Sequence, residues 1–265
     1  MISTSVNELV QTLGRQQRVV YALLLREMRN RYGKYYLGYL WAFIMPVFRV
    51  AVLTVLHALI FESNTIYGAP PVVFFFLGVW PFLLFLNAYM RSIGSFSSYR
   101  SLFVYRTVKP IDAWIAAVVT ELAIYLIILI LCYLAAVWWG LDFAIDKPLE
   151  VIAVVALVYI LGATMGLIVE TISVNIPDVG RAGRLARRPL FWASGVFFTI
   201  DMLPPAIKPY LIWNPVLHAT DLIRGMALSE YTPEGSLSYL CYWTLGMTIF
   251  ALMYYRQHRF DVASR

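Results

Sequence analysis

Four stretches of this chain run for about 18 to 20 residues without a charged side chain, which is the length an α-helix needs to cross roughly 30 Å of hydrocarbon. They are residues 72–90, 122–139, 151–169 and 237–255. Apolar residues fill these stretches continuously instead of following one helix face, which excludes a water-soluble domain. Since 61% of the 265 residues are hydrophobic and only 14% are charged, the sequence predicts an all-α integral membrane protein.

Two less uniform segments bring the predicted number of transmembrane helices to six. Residues 42–61 are apolar enough to insert but carry Arg49. Residues 189–200 are shorter and follow an arginine-rich approach, whose long side chains can reach the interface. Repeated prolines over 204–215 favour short re-entrant or periplasmic gate helices over 201–232, before the last span. The predicted spans are 40–61, 72–90, 111–139, 149–172, 186–200 and 237–255.

The basic residues predict the orientation of these helices. Most of the 21 lysines and arginines lie in the N-terminal segment, in the loops 91–109 and 175–188, and in the C-terminal tail. The alternate loops hold only Lys147, Lys208 and Arg224. Because cytoplasmic loops carry the excess of positive charge, both termini are predicted to be cytoplasmic.

No catalytic or metal site is predicted on this chain. His57, His218 and His258 are scattered, and no metal-ligand spacing accompanies them. The only Gly-Lys pair is Gly33-Lys34, followed by tyrosine, so a phosphate-binding loop is missing. The basic residues follow membrane-flanking loops and form no single patch, which argues against a nucleic-acid partner. We therefore expect neither an enzyme nor a cofactor-binding chain.

The N-terminal segment, residues 1–36, is predicted to form an amphipathic helix that lies in the membrane interface. Val20, Leu24 and Met28 share one helix face, and Arg18 and Arg26 lie on the opposite face. Such a helix either anchors the chain to anionic membrane lipids or docks a cytosolic partner. The sequence leaves both roles open.

The loop after the second span alternates aromatic and basic residues. Aromatic and arginine side chains contribute most of the binding energy at protein interfaces, so this loop is predicted to enter a cleft of a protein partner. Burial in the lipid interface is the alternative. The residues concerned are Phe96, Tyr99, Arg100, Phe103, Tyr105, Arg106 and Lys109.

Three segments carry a resemblance to a known family. They are LLLREMRNRYGKYYLGYLWAFIMP (23–46), SLFVYRTVKPIDAWIA (101–116) and IWNPVLHATDLIRGMALSEY (212–231). They resemble the membrane subunits of ATP-binding cassette exporters for bacterial surface polysaccharides, above all the capsule polysaccharide export permeases. The resemblance spans nearly the whole chain in the same order. Exporters of O-antigen or teichoic acid belong to the same class and are the alternative.

The resemblance implies a set of partners and a location. Two copies of such a permease pair in the bacterial inner membrane, and two nucleotide-binding ATPase subunits bind ATP and Mg²⁺. The implied substrate is a lipid-linked polysaccharide, which periplasmic and outer-membrane export proteins carry onward.

The resemblance also implies roles for particular residues. Trp213, Asn214 and Pro215 would belong to the periplasmic gate. Contacts with the ATPase would come from Arg26, Glu27, Arg29, Arg31, Tyr32, Tyr99, Arg100, Phe103 and Tyr105.

Arg49 is the residue that we expect in the substrate path. A charge at the bilayer centre costs at least about 2.5 to 3.5 kcal/mol, so it should face water or a partner. Trp41 and Tyr39 are expected beside it, near the cytoplasmic entrance. In the alternative, Arg49 pairs with Glu121 or Glu170.

Two other classes of protein compete with an exporter. An ion-coupled secondary transporter needs intramembrane acids, which Glu121 and Glu170 could supply. A membrane glycosyltransferase should carry a pair of acidic residues or a metal-binding motif at the membrane face, and the sequence has neither.

Overall fold

The protein is almost entirely helical. A computed structural model describes residues 14, 16–28, 38–61, 65–105, 107–138, 140 and 147–264, with the backbone alone at 38–42, 136, 263 and 264. Its helices are α1 (residues 16–28), α2 (Gly38–Ile60), α3 (Pro71–Ser92), α4 (Ser95–Tyr99), α5 (Pro110–Trp138), α6 (Pro148–Ser173), α7 (Pro177–Leu185), α8 (Arg187–Ala193), α9 (Lys208–Leu211), α10 (Pro215–Ala227) and α11 (Leu237–Ser264). The all-α prediction is confirmed.

Five helices of the described chain are long and apolar enough to span a membrane: α2, α3, α5, α6 and α11. The sixth span predicted over 186–200 is not confirmed as a continuous helix. It contains α8, only seven residues long, after which the chain turns. Gly195 adopts a φ of +69° in this turn, a conformation that glycine takes at little cost.

The core of the bundle is the contact between α3 and α6. In α3, 83% of the membrane-length stretch is buried, against 17% in α2 and in α11. Gly162 and Gly166 give α6 a small-residue face. A Cβ atom added at Gly162 would lie 2.4 Å from the carbonyl oxygen of Phe85, and one at Gly166 would lie 2.4 Å from that of Tyr89. The backbones of the two helices therefore approach closely because glycine leaves the space.

We expect Gly166→Val to prevent folding, because the added atoms would collide with the backbone of α3. Gly246→Val in α11 is the matched control, since a Cβ atom there meets nothing within 4 Å. Size-exclusion chromatography of the detergent-purified chains measures the difference. Equal yields of monodisperse protein from the two variants would contradict the close packing of α3 on α6.

The two ends of the bundle differ in structure. At one end, which we call the elbow end, α3 leads into α4, and α1 and α7 pack nearby. At the opposite end, α10 packs against the first half of α3 and against α6 and α11. The short helices predicted over 201–232 are α9 and α10, and α10 is largely buried inside the protein.

Candidate functional site

A cavity of about 910 Å³ lies between α2, α3, α5 and α8. We call it the central cavity. Its walls are mostly apolar, and the ring systems of Phe48, Phe82, Phe191 and Trp192 contribute to them. Its polar lining residues are Arg49, Asn87, Glu121, Tyr125, Arg187 and Arg188. Three arginines in an apolar chamber favour a substrate that carries negative charge.

Arg49 lines this cavity and is exposed. It forms no ion pair with any residue that the structure describes. Glu121 lines the same cavity, whereas Glu170 accepts hydrogen bonds elsewhere, from the backbone N–H groups of Gly94 and Phe96. The ion pairs weighed as an alternative for Arg49 are therefore not present in the described residues.

The other two residues predicted for the substrate path lie on α2. Tyr39 and Trp41 belong to its first two turns, and their side chains lie outside the described atoms. Their role stays a prediction.

A cluster of charged and aromatic side chains joins α1 to the end of α3 and to α4. Glu27 forms an ion pair with Arg91 and accepts a hydrogen bond from the Tyr99 hydroxyl. The guanidinium carbon of Arg26 lies 5.5 Å from the centre of the Tyr99 ring. We call these four residues the elbow cluster. Burial raises the pKa of Tyr99 against the opposing effect of Arg91 and Arg26, so its hydroxyl remains a donor.

Two of the predicted ATPase contacts, Glu27 and Tyr99, are buried in the elbow cluster, and their contact with the ATPase stays a prediction. Glu27 is 7% exposed and Tyr99 is 2% exposed. Both side chains are used within the chain, so they hold α1 against α4 and do not form an outer surface. The exposed apolar side chains of α1 are Tyr21, Leu25 and Met28.

Glu170 fixes α4 from the other side. Its carboxylate accepts from Gly94 N at 2.7 Å and from Phe96 N at 2.9 Å, at the start of α4. Gly94 has a φ of +100°, a conformation that favours glycine. Two buried acids, one from α1 and one from α6, thus hold the same short helix.

The segment after α4 contains the exposed residues among the predicted ATPase contacts. Arg100 is exposed, Phe103 is half-buried, and Tyr105 is 63% exposed. The remaining predicted contacts, Arg29, Arg31 and Tyr32, lie outside the described residues.

The predicted gate residues lie at the start of α10. Trp213 is exposed. The Asn214 side chain caps the helix by accepting from Val216 N at 3.0 Å, and Pro215 is its first residue. Asn214 also donates to the carbonyl oxygen of Ala193 at 2.9 Å. It therefore ties α10 to the end of α8.

Sequence reasoning missed several residues of these sites. Arg187 and Arg188 were attributed to membrane topology, but they line the central cavity. Arg91 was counted as a loop charge, yet it pairs with Glu27. Arg224 was counted as an external loop charge, yet it is fully buried. Asp221 and Arg224 lie three residues apart among apolar neighbours, in the sequence DLIRGM. This pattern was the available signal that Arg224 is buried.

Comparisons with known proteins agree with this architecture. Residues 18–228 match the family described as ABC-2 type transporter. The polysialic acid transport protein KpsM of Escherichia coli is 34% identical over 91% of this chain and 93% of its own length.

The capsule polysaccharide export inner-membrane proteins CtrC of Neisseria meningitidis and BexB of Haemophilus influenzae are also similar. CtrC is 29% identical over 81% of each chain. BexB is 28% identical over 81% of this chain and 80% of its own. The resemblance to capsule export permeases is confirmed, and the chain belongs to the ABC-2 type transporter family.

Proposed function

We propose that this chain is the transmembrane subunit of an ATP-driven exporter that moves a lipid-linked capsular polysaccharide out of the cytoplasm across the inner membrane. The observation that carries the proposal is the arginine-lined central cavity in a chain of this family. The names of the relatives supply the substrate class, since they transport polysialic acid or export capsule polysaccharide. Arg49 gives an anionic polymer a charge that no described residue neutralises.

The motor is a separate protein in this proposal. Two nucleotide-binding subunits bind ATP and Mg²⁺, and they contact α1 and the segment 100–105, in which Arg100 and Tyr105 are exposed. When the nucleotide-binding subunits move, the elbow cluster transmits this movement to α3, and Glu170 transmits it to α6. Because α3 and α6 form the core, movement of α4 would reach the walls of the central cavity.

A second copy of this chain completes the pathway. The long helices α2 and α11 leave most of their membrane-length stretches uncovered, so they have apolar surface for lipid or for a partner subunit. A pair would place ten membrane-length helices, five from the described part of each copy, around a two-fold axis. The positions of the basic residues support cytoplasmic termini at the elbow end. The exposed Trp213 would then face the periplasm, beside export proteins that carry the polymer onward.

Reconstitution into proteoliposomes tests the function directly. The chain and its ATPase subunits are expected to move lipid-linked capsular polysaccharide only with ATP and Mg²⁺. Transport of O-antigen or teichoic acid in place of the capsular polymer would favour the alternative exporters. Transport driven by an ion gradient without the ATPase would contradict an ATP-driven exporter.

We expect Tyr105→Asp to weaken binding of the ATPase by about tenfold or more, because an exposed aromatic anchor in an interface is replaced by a charge. Tyr210→Asp is the matched control, since Tyr210 is 80% exposed but lies near α10, at the opposite end. Co-purification and a binding titration in detergent measure the effect. Equal affinity of both variants would remove Tyr105 from the motor contact.

A further inference from the structure

Side chains from α10 and its cap bind the backbone of the turn that follows α8. Residues 193–200 contain six residues whose backbone N–H or carbonyl group meets such a side chain: Ala193, Ser194, Gly195, Val196, Phe198 and Ile200. The side chains come from Asn214, Thr220, Asp221 and Arg224. We call these four residues the outer clamp.

Arg224 contributes most of these bonds. Its Nη1 donates to the carbonyl oxygens of Gly195 at 2.6 Å and Phe198 at 2.8 Å. Its Nη2 donates to that of Val196 at 2.8 Å. The guanidinium carbon also lies 4.0 Å from the centre of the Phe74 ring, and Nε reaches the Phe74 carbonyl oxygen at 3.4 Å. Arg224 therefore connects the turn to α3 as well as to α10.

Asp221, Asn214 and Thr220 bind the rest of the turn. Asp221 accepts from Ile200 N at 3.1 Å. Asn214 donates to the carbonyl oxygen of Ala193 and lies 3.1 Å from Ser194 Oγ. The Thr220 hydroxyl donates to the Ser194 carbonyl oxygen at 2.9 Å.

The outer clamp replaces the hydrogen bonds that a continuous helix would have made. A helix that ends at Ala193 leaves carbonyl groups without helical partners, and burying them unpaired is unfavourable. The planar guanidinium can donate to several carbonyls at once, which a lysine cannot match. Gly78 leaves room for it, because a Cβ atom there would lie 2.2 Å from Arg224 Nη2. Burial lowers the pKa of Arg224 to about 10, so it stays charged at neutral pH.

We propose that the outer clamp makes α8 and α10 move as one body during transport, with Arg224 as its main positioning residue. The inner part of α8 lines the central cavity through Arg187, Arg188, Phe191 and Trp192, and Trp213 lies immediately before the cap of α10. A displacement of α8 by substrate in the cavity is therefore transmitted to the outer surface. This inference rests on the proposed transport function.

A disulfide across the clamp tests the rigid connection. Ser194→Cys and Asn214→Cys are combined with Cys132→Ala and Cys241→Ala, so that only the new pair can form. The oxidised exporter is expected to transport at least as fast as the reduced form of the same variant, because the disulfide replaces the lost contact of the clamp. Failure of the disulfide to form would overturn the proposal. So would oxidised protein that does not transport.

Amide hydrogen exchange on the purified chain separates the clamp from the transport function. Arg224→Gln is expected to raise exchange over residues 194–200 by about tenfold or more. Thr220→Val is a milder variant, expected to raise it over 194–196. Arg181→Gln is the control, because Arg181 is exposed and, among the described residues, pairs with the exposed Asp178. Unchanged exchange in the clamp variants would overturn the clamp. If the wild-type chain shows the protected turn but transports no polysaccharide, the proposed function is wrong and the outer clamp still stands.

Discussion

Glu27→Gln is expected to lower ATP-driven export by about tenfold or more while leaving ATP hydrolysis by the motor intact. The substitution keeps the size of the side chain but leaves Arg91, whose side chain is 24% exposed, without its ion-pair partner. Breaking a fully buried pair costs about 3 to 5 kcal/mol, and partial exposure reduces this to roughly half. A loss of that size loosens α1 from α3 and α4, so motor movement no longer reaches the bundle. Parallel assays of hydrolysis and export measure the separation.

Glu150→Gln is the control for this prediction. Glu150 also pairs with a basic residue, Lys147, but both side chains are well exposed, at the opposite end of α6 from Glu170. It is expected to export at the wild-type rate. A double-mutant cycle between Glu27→Gln and Tyr99→Phe should show strong non-additivity, because the two side chains are in contact. Normal export by Glu27→Gln, or additive effects in the cycle, would show that the elbow cluster does not transmit movement.

The sequence predicts the spanning helices well because the signal is local. Twenty apolar residues in a row determine a helix in lipid wherever they lie, and α3, α5, α6 and α11 follow from this alone. The segment 186–200 is different. Its helix ends after Ala193 because Arg224 and Asp221, more than twenty residues further along the chain, bind the backbone that follows. The local pattern DLIRGM can mark Asp221 and Arg224 as unusual, but no local pattern shows which distant backbone they bind.

The residues of the candidate sites also fall into two groups, those that the sequence predicts and those that only the structure identifies. The cost of a charge in a bilayer marks Arg49 from the sequence, and the structure places it on the central cavity. The aromatic and basic residues near α4 are predicted from the sequence to contact a protein partner, and this stays a prediction. However, the same residue types serve contacts within one chain and contacts between chains. Only the burial of Glu27 and Tyr99 assigns these two to the internal contact.

Arg49→Ala is expected to reduce export of an anionic polysaccharide by about tenfold or more without impairing folding. Arg49 has no ion-pair partner among the described residues, so its removal leaves none of their acidic side chains without an ion-pair partner. What is lost is a favourable interaction with the negative charges of the polymer. A charge-assisted contact is worth about 1.5 to 3 kcal/mol, which corresponds to a factor of roughly ten to a hundred. The initial rate of ATP-driven uptake into proteoliposomes measures it.

Two comparisons make this prediction specific to charge in the cavity. Arg49→Lys keeps the positive charge and is expected to retain most of the transport rate. Arg181→Ala removes an exposed arginine that does not line the cavity, and it should transport at the wild-type rate. If Arg49→Ala transports as fast as Arg181→Ala, then Arg49 does not contact the polymer, and its charge is compensated by water or lipid at the open side of α2. An equal loss in Arg49→Lys and Arg49→Ala would instead assign the effect to the shape of the guanidinium group, because the charge alone would not restore transport.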